Sequence, residues 1–145
     1  MIKVDIFISH AWRVHPEWES LVKMIDSIPD LTWRNFSVPW HDPALRTSDE
    51  LGLKLIEEVF ISQIIPSNIC LVILDLLKQK SSRRWIEKAI FVAKENGVPV
   101  VAIYTDQKYL AEAEELKIDE VLELSYDSIK GLLNRVSTKA DFKYV

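Results

Sequence analysis

The sequence predicts an α/β fold: a single domain with five parallel strands, wound by helices on both faces. Three observations predict it. Apolar runs of strand length alternate with segments of helical periodicity along the chain. Two of those runs, Ile69–Leu74 and Pro99–Tyr104, hold almost no polar residue, as strands covered on both faces require. Each is separated from its neighbour by a stretch long enough for a crossover helix.

Taken in order, Lys3–Ser9 is mostly apolar and reads as the first strand. A loop from His10 to His15 leads to Pro16, well placed at a helix start, after which Trp18, Leu21, Val22, Ile25 and Ile28 recur at helical spacing. Pro29-Asp30 ends that helix. Thr32–Ser37 is short and partly polar, which suits an edge strand. A long connection, Val38–Arg46, follows, rich in aromatic, proline and polar residues. Connections of this size in a compact domain are usually functional or disordered, and its tryptophan and histidine argue against disorder.

Thr47-Ser48-Asp49-Glu50 reads as a capping box opening a helix that carries Leu51, Leu55, Ile56, Val59, Phe60 and Ile64 and stops before Pro66. The Ile69–Leu74 strand then feeds the helix that opens at Ser81-Ser82-Arg83-Arg84. Its inward face reads Trp85, Ile86, Ala89, Ile90 and Ala93, and Asn96-Gly97 ends it where a left-handed residue is needed. After Pro99–Tyr104 come a short helix from Leu110 to Leu116, a short strand from Glu120 to Leu124 and a last helix from Tyr126 to Val136. The tail, Thr138–Val145, is expected to be loosely held. Strand count and length fit a doubly wound sheet of the flavodoxin type, whose ligands lie at the carboxyl ends of the strands.

Composition narrows the function. With 145 residues, 48% hydrophobic and 28% charged, the chain fits one soluble domain. A net charge of −4 does not recommend nucleic acid. The three glycines form neither the dinucleotide fingerprint nor the Walker sequence. His10, His15 and His41 lack a metal-ligand spacing, so no metal is expected. Cys70 sits alone in an apolar strand and reads as a buried structural thiol. No run approaches a membrane span, and the chain enters a strand without a leader-like segment, so a cytoplasmic protein with no membrane partner is expected.

Three stretches, in order, resemble a known family. Val4–His10 resembles the first strand and loop of TIR and TIR-like domains. Asn35–Pro39 with Asp42-Pro43 resembles the second strand and following loop of the TIR-like proteins of bacterial Thoeris antiphage defence. Ser82–Ile86 through Gly97–Ile103 resembles their third helix and fourth strand. The resemblance implies an enzyme that takes NAD as substrate, rather than as cofactor, and cleaves its nicotinamide–ribose bond. The ADP-ribose part would become a cyclic or conjugated signal that activates a partner effector protein, and self-association would complete the site. Such cleavage requires a carboxylate near the ribose, because its transition state has oxocarbenium character.

Here the chain departs from the family. The catalytic glutamate is expected four residues after the tryptophan, and that position is Ala89. Glu87 cannot replace it, since two helical residues rotate a side chain by about 200° away from the face of Trp85. The chain as written is therefore expected to be inactive. It is either a degenerate member that binds nucleotides or partners without hydrolysis, or a form in which a glutamate was replaced on purpose. A third reading makes Ala89 a core alanine of an unrelated flavodoxin-like domain.

The remaining site expectations each have a plainer counterpart. Ser9 and His10 are expected at the rim of the pocket, or else as a polar loop. Trp12 and Trp40 wall the pocket, or pack over the core. Asn35 and Ser37 belong to a lid running to Asp42. Asp42 and Asp49 are carboxylates for ribose hydroxyls, though Asp49 equally suits its helix start. Arg83 and Arg84 meet a pyrophosphate, or stand solvated at a helix start. Trp85 packs beneath the pocket floor. The run Glu112-Ala113-Glu114-Glu115 reads as a solvated helix face.

Overall fold

Every residue from Val4 to Ile8 and from Ile69 to Ile73 is buried, which a strand achieves only in a sheet covered on both faces. The computed structural model describes residues 2–9, 15–37 and 50–137. Within them the five strands are β1 (Ile2–Ile8), β2 (Leu31–Asn35), β3 (Ile69–Ile73), β4 (Val100–Tyr104) and β5 (Glu120–Glu123). The helices are α1 (Pro16–Asp26), α2 (Glu50–Ile64), α3 (Lys80–Glu95), α4 (Leu110–Glu115) and α5 (Tyr126–Ser137). All strand pairs are parallel, in the order β2-β1-β3-β4-β5, which is the flavodoxin-like order. The short, partly polar β2 lies at one edge, as its sequence predicts.

The helices divide between the faces. α1 and α5 pack together, and α5 also lies on β1. On the other face α2 packs on α3, and α3 is tied to α4 by ion pairs from Arg83 to Glu112 and Glu115 at 2.9 and 3.3 Å. The chain therefore leaves β1 toward one face and β3 toward the other. The two strands are neighbours, so the crevice between their carboxyl ends is the topological switch point.

The core runs through both layers. Phe7 of β1, Phe60 of α2 and Trp85 of α3 stack edge to face, with ring centroids 5.5 and 5.7 Å apart. Burying side chains of this size contributes about 1.5–3 kcal/mol each. Trp85, Ile86, Ala89, Ile90 and Ala93 all face this core, as the helical spacing predicts, and Val92 joins them. At the end of α3, Gly97 takes φ +69°, and Val98 N donates to Ala93 O at 2.8 Å, closing the left-handed cap.

One charged residue inside the sheet is fully neutralised. Asp5 of β1 has no exposed surface and accepts two bonds from Arg34 of β2, at 2.6 and 2.7 Å. Its backbone amide donates to Asn68 Oδ1 at 2.8 Å, so the loop before β3 is pinned beside it. Cys70 is free and buried, and burial pushes its thiol up to about 12. That agrees with a structural role, since the reactive thiolate is not accessible near neutral pH.

The structure corrects the path after β3. The strand ends at Ile73, and Leu74–Lys78 forms a 3-10 turn in place of further strand and loop before α3. Most other boundaries differ from the sequence reading by a residue or two. Thr47, Ser48 and Asp49 of the expected capping box, and the tail Thr138–Val145, lie outside the described residues. Among the described residues, no helix is long and apolar enough to cross a membrane, and no His, Cys, Asp and Glu cluster forms a metal site.

Candidate functional site

Three groups meet the switch point: the end of β1, the start of α1, and the turn that leads from β3 into α3. Ser9 follows β1 directly. Its amide donates to Leu71 O of β3 at 2.7 Å, fixing it beside that strand. Its side chain is fully buried, and its Oγ has no hydrogen-bond partner among the described residues.

On the far side of the crevice α3 opens at Lys80, after Gln79, which supplies no side-chain cap. No acidic residue occupies the first turn. The first amides of a helix have no partner within it, and the helix dipole favours an anion there. Ser82 lies in this turn, fully buried, and its Oγ is again without a partner among the described residues. Side chains on a helix lean toward its amino terminus, so this hydroxyl leans toward the start of α3, while the Ser82 amide itself donates to Gln79 O at 3.0 Å.

The third group lies at the start of α1. Pro16 takes the first helical position and Glu17 the second. Glu17 Oε1 accepts from Lys78 Nζ at 2.6 Å, a contact that joins the helix after β1 to the turn after β3. The Lys78 hydrogen bond holds the carboxyl of Glu17 below its ordinary range, and the same bond raises the lysine. The other oxygen, Oε2, is buried and has no partner among the described residues. The indole Nε1 of Trp18, in the same first turn, is also buried without one.

The residues expected from the sequence fall into distinct groups. Ser9 lies at the carboxyl end of β1, whereas Ala89 lies midway along α3, has no exposed surface and is enclosed by apolar neighbours. Trp85 is buried beneath Arg84, whose guanidinium lies 4.6 Å from its ring centroid. Asn35 and Ser37 are engaged with each other: Asn35 Oδ1 accepts from Ser37 N at 2.9 Å and from Ser37 Oγ at 2.5 Å, closing the end of β2. His10, Trp12, Trp40, Asp42 and Asp49 lie outside the described residues.

Arg83 takes neither of its two expected parts, since its guanidinium is engaged by carboxylates rather than solvated. It binds Glu87 and Glu112, each at 2.9 Å, and Glu115 beyond them. These carboxylates, led by Glu112, raise its already high pKa. It ties α3 to α4, and the acidic run of α4 is its counterpart rather than only a solvated face. Glu87 points outward in this network, with a half-exposed side chain, consistent with the rotation that separates it from Trp85. Glu17 and Lys78 are the site residues that sequence reasoning missed. An acid after a helix-opening proline is common, and its lysine partner lies 61 residues away.

No protein-family model matches the chain, and no curated protein matches it. Among solved structures, FerB, a flavoenzyme NAD(P)H:(acceptor) oxidoreductase from Paracoccus denitrificans, is similar at 14% identity and a TM-score of 0.38, over 99% of this chain and 97% of that one.

Proposed function

We propose that this domain takes NAD in the crevice between β1 and β3, and that it carries TIR-like machinery for cleaving the nicotinamide–ribose bond with the cleaving carboxylate missing at position 89. The observation that carries the reading is the pair of buried hydroxyls, Ser9 and Ser82, one on each side of the switch point and neither partnered among the described residues. Buried polar groups without partners are uncommon and call for an explanation, and a ligand supplies one. The uncapped start of α3 beside Ser82 suits a phosphate of the dinucleotide.

In this reading the alanine form holds NAD without turning it over. A glutamate at 89 would stand near the ribose and stabilise the oxocarbenium-like transition state as nicotinamide departs. The ADP-ribose product would then act as a defence signal on a separate effector protein in the cytoplasm, and copies of the domain would associate to complete their sites.

A second reading, a nucleotide-binding or interaction module without turnover, is favoured by one observation. Ala89 is wholly enclosed in the apolar core, where a carboxylate would lose its hydration.

The test is nicotinamide release from NAD, followed by chromatography, for this chain and for Ala89→Glu, with NAD binding and thermal unfolding measured on both. The expected result is binding without release for the alanine form, and release for the glutamate form. A folded Ala89→Glu that binds NAD and releases nothing would establish the non-catalytic reading instead. Absence of NAD binding in both folded forms would overturn the proposal entirely.

A further inference from the structure

Glu17 presents a combination that a surface acid does not need. It sits in the first turn of α1, where the helix dipole favours negative charge. One of its oxygens is bound to Lys78, and that bond spans the crevice from the helix after β1 to the turn after β3. The lysine does two things there: it holds the carboxyl ionised and it fixes the direction of the second oxygen. That second oxygen is buried and has no donor among the described residues. An ionised carboxylate offers about four lone-pair directions and no proton, so only donors satisfy it.

The chemistry of the missing donor follows from this arrangement. A phosphate is a poor neighbour for a carboxylate, and the nearby cation, Lys78, is already bound to it. Neutral donors remain, N–H groups as well as hydroxyls, and among the groups of a dinucleotide the vicinal hydroxyls of a ribose offer two donors side by side. We infer that Glu17 accepts hydrogen bonds from the vicinal hydroxyls of a ribose, with Lys78 as its positioning residue. The inference rests on the dinucleotide reading above and adds to it the group that recognises the sugar. It also divides the crevice: the carboxylate at the start of α1 takes the sugar, and the start of α3 with Ser82 takes the phosphate. Hydrogen bonds to a charged acceptor are among the stronger ones, so loss of the hydroxyls should weaken binding by roughly ten- to a hundredfold.

The experiment compares NAD with an analogue lacking the 2′ and 3′ hydroxyls of both riboses, by calorimetric titration. The unaltered chain is expected to bind NAD at least tenfold more tightly than the analogue. Glu17→Met keeps the side-chain length and removes both oxygens, so it should bind the two alike, at the analogue's affinity. Glu17→Gln keeps one acceptor oxygen for Lys78, removes the charge and puts an amide donor where the second oxygen was, so its preference should fall between those two. A merely structural role would alter thermal stability in these variants and leave the preference for hydroxyls untouched. Retention of the full preference in folded Glu17→Gln or Glu17→Met would overturn the assignment while leaving NAD binding standing. Equal binding of both ligands by the unaltered chain would overturn it too. If the unaltered chain binds neither ligand, the dinucleotide reading itself fails and the assignment falls with it.

Discussion

Two corners of the same sheet edge place buried polar groups past the ends of β1 and β3 and treat them in opposite ways. At the β3–β4 corner, Asp75 is buried and its carboxylate accepts from Thr105 N at 2.8 Å, Thr105 Oγ1 at 2.6 Å and Asp106 N at 3.1 Å. Those bonds clamp the 3-10 turn onto the loop after β4. At the β1–β3 corner, Ser9, Glu17 and Ser82 each keep a buried oxygen without a partner among the described residues. The first corner is satisfied within the fold, and the second holds buried oxygens for which the described residues supply no donor. On the reading proposed above, the site is marked not by burial alone but by buried groups at the switch point that find no partner among the described residues.

Breaking the satisfied corner should have the largest effect on stability. Asp75→Ala removes three bonds to a buried carboxylate and is expected to lower the unfolding free energy by on the order of 3 kcal/mol in urea titration. NAD affinity should be unchanged in the folded variant. A loss within about 0.5 kcal/mol, the range of an ordinary surface change, would show that the clamp does not hold the turn.

The unsatisfied corner should respond with the opposite sign. Ser82→Ala or Ser9→Ala removes a buried hydroxyl that has no partner among the described residues, so the ligand-free protein should be unchanged or more stable by up to about 1 kcal/mol. Affinity for NAD should drop in the same variants. If either alanine variant were destabilised by about 2 kcal/mol, its hydroxyl would already be bonded within the protein, and the contrast between the corners would disappear.

The smallest expected effect is an acid-dependent one. The carboxyl of Glu17 is depressed by Lys78, so its contribution to stability is present above the ordinary carboxylate range. That contribution is lost as pH falls through the lower, folded value. Glu17→Gln should therefore unfold with a shallower loss of stability on acidification below about pH 4.5, and it should match the unaltered protein more closely at low pH than at pH 7. Parallel acid profiles for the two would mean that the Glu17–Lys78 contact contributes nothing in solution.

Much of the frame was legible in the sequence because it depends on local pattern. The apolar runs of β1 and β3, the inward face of α3 and the left-handed stop at Gly97 all follow from spacing within one element. The 3-10 turn was not legible: Leu74, Leu76 and Leu77 prolong an apolar run, and the turn is held by bonds from Asp75 to residues 30 and 31 positions later. Arg83 was hidden for the same reason, since Glu112 lies 29 residues away. At the candidate site, sequence located Ser9 and the opening of α3. It missed Glu17, whose significance depends on a lysine brought across the crevice by the fold. Ala89 was read correctly as inward-facing, while its complete enclosure became visible only with Phe60 and Phe7 packed around the same core.

The most direct test of the account is a titration of isotope-labelled protein with NAD, following the backbone amides by nuclear magnetic resonance. The account predicts shifts at Ser9, at Glu17 and Trp18, and at Lys80 to Ser82, with Thr105 and Asp106 at the satisfied corner unmoved. Shifts confined to Thr105 and Asp106, or to the groove lined by Lys94, Gly97, Val98 and Asp119 at the opposite edge of the sheet, would contradict it. So would a spectrum that NAD leaves unchanged.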